Sequence, residues 1–382
     1  MRIPVRTDAP NGEPSPDNAR TRSPLAEVGA ALMSADLESR PVSAALAPDW
    51  ATFVDEHDAT TVFHTLEWLR SVEATFGYEP AHRLVYEPGG DEPIAAVPGF
   101  RASETFGHSI VNPFCEYGFP LITPEIDSGG SHSEVLGALT ADIGRLGACI
   151  LKEVPWSGVG EYNEAGYGAV RTGASIRLRL DRPYEELRDA EFDRDVRRCV
   201  RMAEGKGVEA EEGTIAEFYP LYHDTMRRLG SPQFPKAFFS SLRDRFGEAL
   251  TVLLARQGGR SLGGVLLLEW GDTTVIWLVT SDRSYWEFRP THLLYARAIE
   301  RARENGQSAV DLGRSRSGSS VQGFKAQFGG LSYPLVSFVA PPHRTPRASL
   351  EAYGRVAGIA ERVAPIITHR SVGPRLKRRI HE

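Results

Sequence analysis

The sequence predicts an α/β (α+β) protein in which one unit is used twice. Three observations point there. Each half runs through the same order of signals: an amphipathic helix, a meander of short apolar runs broken by glycine turns, another helix and a strand. The turns Pro88-Gly89-Gly90 and Gln257-Gly258-Gly259 stand at equivalent points of the two halves. The length of 382 residues, 41% hydrophobic and 25% charged, fits two globular domains, each with its own core. The boundaries expected are 1–47 for a disordered or weakly ordered N-terminal segment, 48–182 and 183–340 for the two units, and 341–382 for a C-terminal helix and basic tail. Two unrelated α+β domains are the alternative.

The elements follow from local chemistry. Residues 1–24 are rich in Pro, Asp, Asn and Arg without periodicity, a disordered composition; an Ala-rich stretch from Leu25 to Leu46 follows and can hold a short helix, with order beginning near Trp50. Thr65 is placed to cap a helix carrying Trp68, Leu69, Val72 and Phe76, which Gly77 ends. Strands are expected at 81–86, 93–100 and 109–112, then a loop at 113–120, a helix at 131–146 and a strand at 148–153. In the second half, helices are expected at about 191–204 and 215–229, and a third begins with Pro235 as its first residue. Strands at 250–255, 262–270 and 273–279 make the second meander. A helix from Pro290 to Glu304, closed by Asn305-Gly306, precedes strands at 309–312 and 333–339. A last helical stretch covers about 347–364.

Composition excludes several classes. The formal net charge of −6 carries no global nucleic-acid signal, so any phosphate contact must be a local basic patch. The three cysteines, Cys115, Cys149 and Cys199, form no CxxC pair, which argues against a disulfide framework and for a reducing compartment. No apolar run is long enough to span a bilayer, and the first residues lack an apolar signal core, so a cytoplasmic protein is expected. There is no P-loop and no HExxH; Gly313-Arg314-Ser315-Arg316-Ser317 fails the GxSxG pattern at its last residue. Asp55-Glu56-His57-Asp58 reads as a solvated stretch rather than a metal site.

One cluster remains. Arg289-Pro290-Thr291-His292 opens a helix, Asp311-Leu312-Gly313-Arg314-Ser315-Arg316 leaves a strand, and Gly323-Phe324-Lys325-Ala326-Gln327-Phe328-Gly329-Gly330 follows. Strand ends and helix starts are where α/β folds place their sites. Arg289, Arg314, Arg316 and Lys325 suit phosphates or a carboxylate, arginine through forked hydrogen bonds and lysine as a point charge. Equally, these bases can pair with Asp282, Glu287 and Asp311 as structural salt bridges. Lys325 stands out because the chain has only five lysines among 44 Lys+Arg, and only this one lies inside a Gly/aromatic motif beside arginines.

The order of these motifs resembles the FemAB-type proteins. The run Thr225-Met226-Arg227-Arg228-Leu229-Gly230-Ser231-Pro232, then Phe234-Pro235 and Phe238-Phe239, is similar to their second domain, as are the 289–294, 311–315 and 324–330 segments. Phe63-His64-Thr65-Leu66-Glu67-Trp68 and Pro113-Phe114-Cys115-Glu116-Tyr117-Gly118 look like first-domain counterparts. The resemblance covers about residues 50–340. It implies two pseudo-duplicated GNAT-like domains, each a mixed sheet flanked by helices. Characterised members move an aminoacyl group from aminoacyl-tRNA to an amine of a peptidoglycan precursor; relatives are GNAT-type N-acyltransferases beside exopolysaccharide genes. Lys325 matches the lysine of the family's phenylalanine–lysine motif, associated with acyl transfer. Three features depart from the family: the first-domain aspartate has no clear match, with Glu125 or Asp127 as stand-ins; 205–250 has no room for a coiled-coil arm; and the Gln/Arg-x-x-Gly-x-Gly/Ala acyl-CoA loop is absent.

The expected activity is therefore acyl or aminoacyl transfer to an amine of a small or lipid-linked cell-envelope or exopolysaccharide acceptor. The donor is acyl-CoA or aminoacyl-tRNA, with no bound cofactor. Without an activated Ser or Cys, the amine is expected to attack the carbonyl directly. Lys325 and His292 are the catalytic candidates; Arg289, Arg314, Ser315, Arg316, Phe324, Tyr117 and Glu116 are the binding candidates. His292 is also readable as a structural hydrogen-bonder, and Tyr117 as core. Lys325→Ala is expected to lower transfer with stability near wild type. The basic tail, Arg370 to Arg379, can touch the inner membrane face or stay solvated. The competing function is a non-catalytic member that binds a lipid-linked glycan carrier.

Overall fold

A computed structural model of the chain describes residues 37–104, 107–111, 114, 117–123, 134–137, 147–155, 159–340 and 372–379. The expected N-terminal disorder, Glu116, Glu125, Asp127 and the 347–364 helix lie outside them. Strand β1 (Glu38–Pro41) leads into helix α1 (Ala47–Glu56), a 3-10 turn at Val62–His64 and helix α2 (Leu66–Phe76). Strands β2 (Glu79–Pro80), β3 (Arg83–Tyr86), β4 (Pro93–Val97), β5 (Phe100–Glu104), β6 (Gly107–Val111), β7 (Leu121–Ile122) and β8 (Gly147–Pro155) follow, then α3 (Val159–Glu164) and the long β9 (Gly168–Arg179). The second half holds α4 (Tyr184–Glu191), α5 (Arg194–Gly205), β10 (Glu209–Glu212), α6 (Ile215–Leu229) and α7 (Lys236–Phe246). Its meander is β11 (Leu250–Gln257), β12 (Arg260–Trp270) and β13 (Thr273–Ser281), followed by α8 (Pro290–Glu304), β14 (Ala309–Asp311), α9 (Ser320–Ala326) and β15 (Leu331–Ala340). Helix α10 (Gly373–Arg379) is the last described element.

Eleven strands form one sheet in the order β10-β11-β12-β13-β14-β9-β15-β8-β6-β5-β2, and β1-β3-β4-β7 form a second. The large sheet is nearly symmetric about its middle, with five strands beyond β9 and four beyond β15. Read outward from β9 and β15, each side has one parallel pair, β13 with β14 and β6 with β8, and every other pairing is antiparallel. The two halves exchange their last strands. β9 ends the first half but pairs with β14 of the second; β15 ends the second but pairs with β8 of the first. A duplicated unit explains this arrangement directly: the same strand pattern is laid down twice and joined across the middle.

The halves also share a core. Thr65 caps α2 by accepting the Trp68 N–H at 3.2 Å, which aims Trp68 inward. Trp68 is fully buried, edge-on to Phe238 of α7 at 5.6 Å and to Trp277 of β13 at 5.1 Å. These apolar faces come from both halves, so neither can be removed without stripping the other. A separate core under α8 holds Leu293, Leu294, Ala298 and Ile299 against Val310 and Leu312.

Several expectations need correction. Pro235 is the cap preceding α7, with ψ 151°, so the helix begins at Lys236. The strand expected over 93–100 breaks at Pro98-Gly99, because β4 joins the small sheet and β5 the large one. Of the stretch from Leu25 to Leu46 in which a short helix was expected, only 37–46 are among the described residues, and there β1 pairs with β3. Elements β9, β10, α4 and α9 were not among those expected from the sequence. In β9 the buried apolar alternation is short, Ala174, Ile176 and Leu178, set among arginines, and it becomes a strand through its neighbours β14 and β15.

Candidate functional site

The polar cluster is built around the short strand β14. Val310 and Leu312 point into the core under α8, and period-2 alternation turns Asp311 to the opposite face. Asp311 is 1% exposed and accepts four hydrogen bonds. The Ser175 and Tyr117 hydroxyls donate at 2.5 Å each, the Gly313 N–H at 2.8 Å and Arg177 Nε at 3.3 Å. Such full satisfaction is what makes a buried carboxylate tolerable. Burial, reinforced by the Asp311 charge, holds the Tyr117 phenol well above its ordinary pKa, so it stays a donor. Burial works against the Arg177 charge, but Asp311 and Tyr117 outweigh it and raise its pKa.

The chain then turns through Gly313, with φ 78° and a position where a Cβ would meet Ile276 O at 2.6 Å. Lys325 grips this turn from the far side. It is 6% exposed, and its Nζ donates to Gly313 O at 2.8 Å and Arg314 O at 3.0 Å. Ser315 bridges to Ala174 through its own N–H and C=O at 2.8 and 2.9 Å, while its buried Oγ has no partner among the described residues. The 311–315 loop is thus clamped by a carboxylate, an ammonium and a strand edge.

Next to it lies a cleft of about 430 Å³ at the start of α8. Strands β13 and β14 pair only over Thr273–Val275 and Ala309–Asp311; from there to Ser281 β13 is paired by β12 alone, and its β14 side is open. The cleft opens beside that edge, lined by Arg289, His292, Phe324, Thr280, Trp286 and Arg228 among others. Arg289 has a left-handed backbone, φ 56°, and its buried Nε has no partner among the described residues. The α8 N-terminus adds partial positive charge at this point. Burial, and then the Arg289 charge, lower the His292 pKa to about 4, so the ring is neutral at pH 7; it stands edge-on to Phe324 at 5.0 Å. Trp286, 44% exposed, carries Arg228 and Arg283 over its ring at 5.2 and 5.7 Å.

The structure therefore brings Arg289, His292 and Phe324 into one cleft and sets Lys325 directly behind it. Arg314 and Arg316 are exposed on the loop. Tyr117 lies on the other face, bonded to Asp311. The expected salt bridges take another form: Asp311 pairs with Arg177, Asp282 caps Ser284 N–H, and the Glu287 carbonyl accepts from Lys206. Against the expectation that Lys325→Ala leaves stability near wild type, truncation would strand the buried Gly313 carbonyl and the part-buried Arg314 carbonyl. Sequence reasoning missed Ser175, Arg177, Thr280 and Trp286. The one available signal was the polar face of β9, where Ser175 and Arg177 alternate with Ile176 and Leu178.

Elsewhere, a larger concavity of about 710 Å³ lies among Asp49, Glu56, Asp58, Asp91 and Glu92 and holds none of the expected site residues. Among the described residues no group of His, Cys, Asp or Glu is placed to hold a metal ion, and no helix is long and apolar enough to cross a membrane. Lys377 of α10 rests over the Phe234 ring at 4.5 Å.

Residues 190–325 match the family profile described as acetyltransferase (GNAT) domain. The search of curated proteins returned no match. Among solved structures, FemX superposes with a TM-score of 0.61 at 13% identity, covering 84% of this chain and 100% of its own. The L-PGS of Bacillus licheniformis gives 0.53 at 11% identity, covering 82% and 96%. The C-terminal domain of a candidate lysylphosphatidylglycerol synthetase from Agrobacterium fabrum gives 0.54 at 12%, covering 81% and 96%. Residues 190–325 thus match the acetyltransferase (GNAT) domain family, and the chain shares the fold of FemX, of the L-PGS of Bacillus licheniformis and of the Agrobacterium fabrum domain.

Proposed function

We propose that the protein transfers an acyl or aminoacyl group from a phosphate-bearing carrier, acyl-CoA or aminoacyl-tRNA, to an amine on a cell-envelope, peptidoglycan-precursor or exopolysaccharide-related acceptor. The observation that carries this reading is the cleft beside the open edge of β13, where Arg289 and the α8 N-terminus meet. A donor's phosphates suit that positive corner, and Phe324 with Trp286 gives it apolar walls. The acceptor nitrogen attacks the donor carbonyl; the N–C bond forms, the C–S or C–O bond breaks, and the amine's proton leaves as the thiol or hydroxyl departs. We assign Lys325 two linked roles, fixing the 313–315 loop and opposing the negative charge that develops on the carbonyl oxygen. A pKa of about 4 makes His292 a hydrogen-bonding neutral ring rather than a strong base. Arg314 and Arg316 supply phosphate or carboxylate contacts from the loop, with Ser315 between them. We place the protein in the cytoplasm, with the basic residues near its C-terminus as a contact for the inner membrane face.

One observation favours a second reading, a non-catalytic protein that binds a lipid-linked glycan carrier: the Lys325 ammonium already bonds two backbone carbonyls. Calorimetric titration of the full chain with acyl-CoA and with aminoacyl-tRNA separates the readings. Binding of one donor, weakened in Arg289→Ala, supports the transferase. Binding of neither sinks it and leaves the carrier-binding protein.

A further inference from the structure

A second cleft, of about 410 Å³, opens on the sheet face that carries Asp311, opposite α8. One wall is the end of α1 and the turn after it, residues 54–62; the other is the β12–β13 hairpin at 270–273; Tyr117, Arg177 and Asp311 form its floor. Arg177 is the informative residue. Its side chain is 39% exposed and is held from the back by Asp311, through Nε, and by the Tyr117 hydroxyl. The Nε contact, at 3.3 Å, is the longest of the four that Asp311 makes, and the two hydroxyls and the Gly313 N–H take the closer positions. The guanidinium lies near the rings of Tyr117 at 5.4 Å and Tyr333 at 5.9 Å, which limit its motion. Beyond Asp311 and Tyr117 the guanidinium has no hydrogen-bond partner among the described residues. A guanidinium fixed at Nε presents its two outer nitrogens as a fork, the geometry that matches a carboxylate. The walls carry the opposite charge: Asp55, Asp58 and Asp272 line the same cleft and are exposed.

We propose that this cleft binds an amino-acid or peptide zwitterion, its carboxylate on Arg177 and its ammonium toward Asp55, Asp58 and Asp272. A volume of about 410 Å³ accommodates a molecule of dipeptide size. The inference builds on the transferase reading, in which this molecule is the amine acceptor, but binding itself requires no donor.

Titration of the full-length protein with L-alanyl-L-lysine, with its C-terminal amide and with its doubly N-acetylated form tests the site. The free dipeptide is expected to bind saturably, and the amide about tenfold or more weakly. The acetylated form, which lacks the ammonium groups, is also expected to be weaker. Arg177→Gln is expected to abolish the preference for the free carboxylate. Asp272→Asn, at an exposed hairpin tip, is expected to weaken the dipeptide about two- to fivefold without disturbing the fold. Equal binding of dipeptide and amide, or no saturable binding of any of the three, overturns the proposal even if Arg177→Gln does not fold. Dipeptide binding without turnover from either donor leaves this site standing and refutes the transferase. Donor turnover onto other amines without dipeptide binding does the reverse.

Discussion

The two faces of the central sheet handle buried polarity in opposite ways. On the Asp311 face the polar groups answer one another: one carboxylate takes two hydroxyls, a backbone N–H and an arginine. On the α8 face the cleft leaves polar atoms unanswered, among them Arg289 Nε, and holds a residue in a left-handed backbone. A closed network of this kind rigidifies the place where the halves meet. An open one is available to a ligand, and strained backbone gathers at such places. Lys325 sits between the two and belongs partly to each, since it is buried and bonded yet adjoins the cleft through Phe324. Asp311, Ser175 and Tyr117 should therefore show in stability and Arg289 in activity, while Arg177 belongs to the network at Nε and to the cleft on that face at its outer end.

If the Asp311 face is structural, its loss should show in unfolding. Asp311→Ala leaves Tyr117 OH, Gly313 N–H and Arg177 unpaired together, and is expected to cost about 3 kcal/mol in urea denaturation. A cost below about 1 kcal/mol would break the comparison.

The histidines give the next largest effect. Burial lowers His64 to about 4 and His82 to about 3, and His292 is also near 4. These rings are neutral when folded, whereas the unfolded chain protonates them below about pH 6.5. The unfolded state therefore binds more protons between about pH 6.5 and 4, and stability falls as pH drops through that window. His64 and His82 are each expected to cost roughly 2–3 kcal/mol there. His82→Asn, whose carboxamide oxygen can accept the Gly99 N–H that Nδ1 now takes, is expected to flatten the profile of unfolding free energy against pH.

Lys325→Met removes the charge but keeps the chain's bulk. It is expected to cost about 1–3 kcal/mol, through the Gly313 and Arg314 carbonyls, and to reduce acyl transfer by more than that loss of stability explains. Retained kcat with lowered stability would place Lys325 wholly on the structural side.

The smallest stability effects belong to the cleft. Arg289→Gly relieves a left-handed backbone and is expected to raise stability by about 1 kcal/mol in thermal unfolding while weakening donor binding. Such opposite signs are the signature of a residue kept for function. Unchanged donor affinity in this variant would mean the cleft is not the donor site.

The duplicated plan, the caps at Thr65 and Gly77, the meander of the second half and the Arg289-to-Phe328 cluster were legible because each rests on chemistry local in sequence. Apolar spacing, turn residues and capping hydroxyls act within a few positions. The cleft residues Arg289, His292 and Phe324 share that property, since helix start and motif order placed them together before any contact was known. Strand β9 was not legible, because its pairing partners β14 and β15 lie more than a hundred residues away. The Asp311 network was hidden for the same reason: Tyr117, Ser175 and Arg177 come from the first half and meet the second only when the final strands exchange.

By itself the sequence determined that this is a duplicated α/β chain with a positive, aromatic-walled cluster near residues 289–330, because short-range periodicity and composition suffice for that. Tertiary structure alone decided what the cluster's residues do. Packing turned Lys325 inward onto backbone carbonyls, placed Tyr117 and Arg177 on one carboxylate, and left Arg289 open at the start of α8. Hydrogen-bond partners and desolvation depend on which distant groups share a buried space, and no local pattern encodes that.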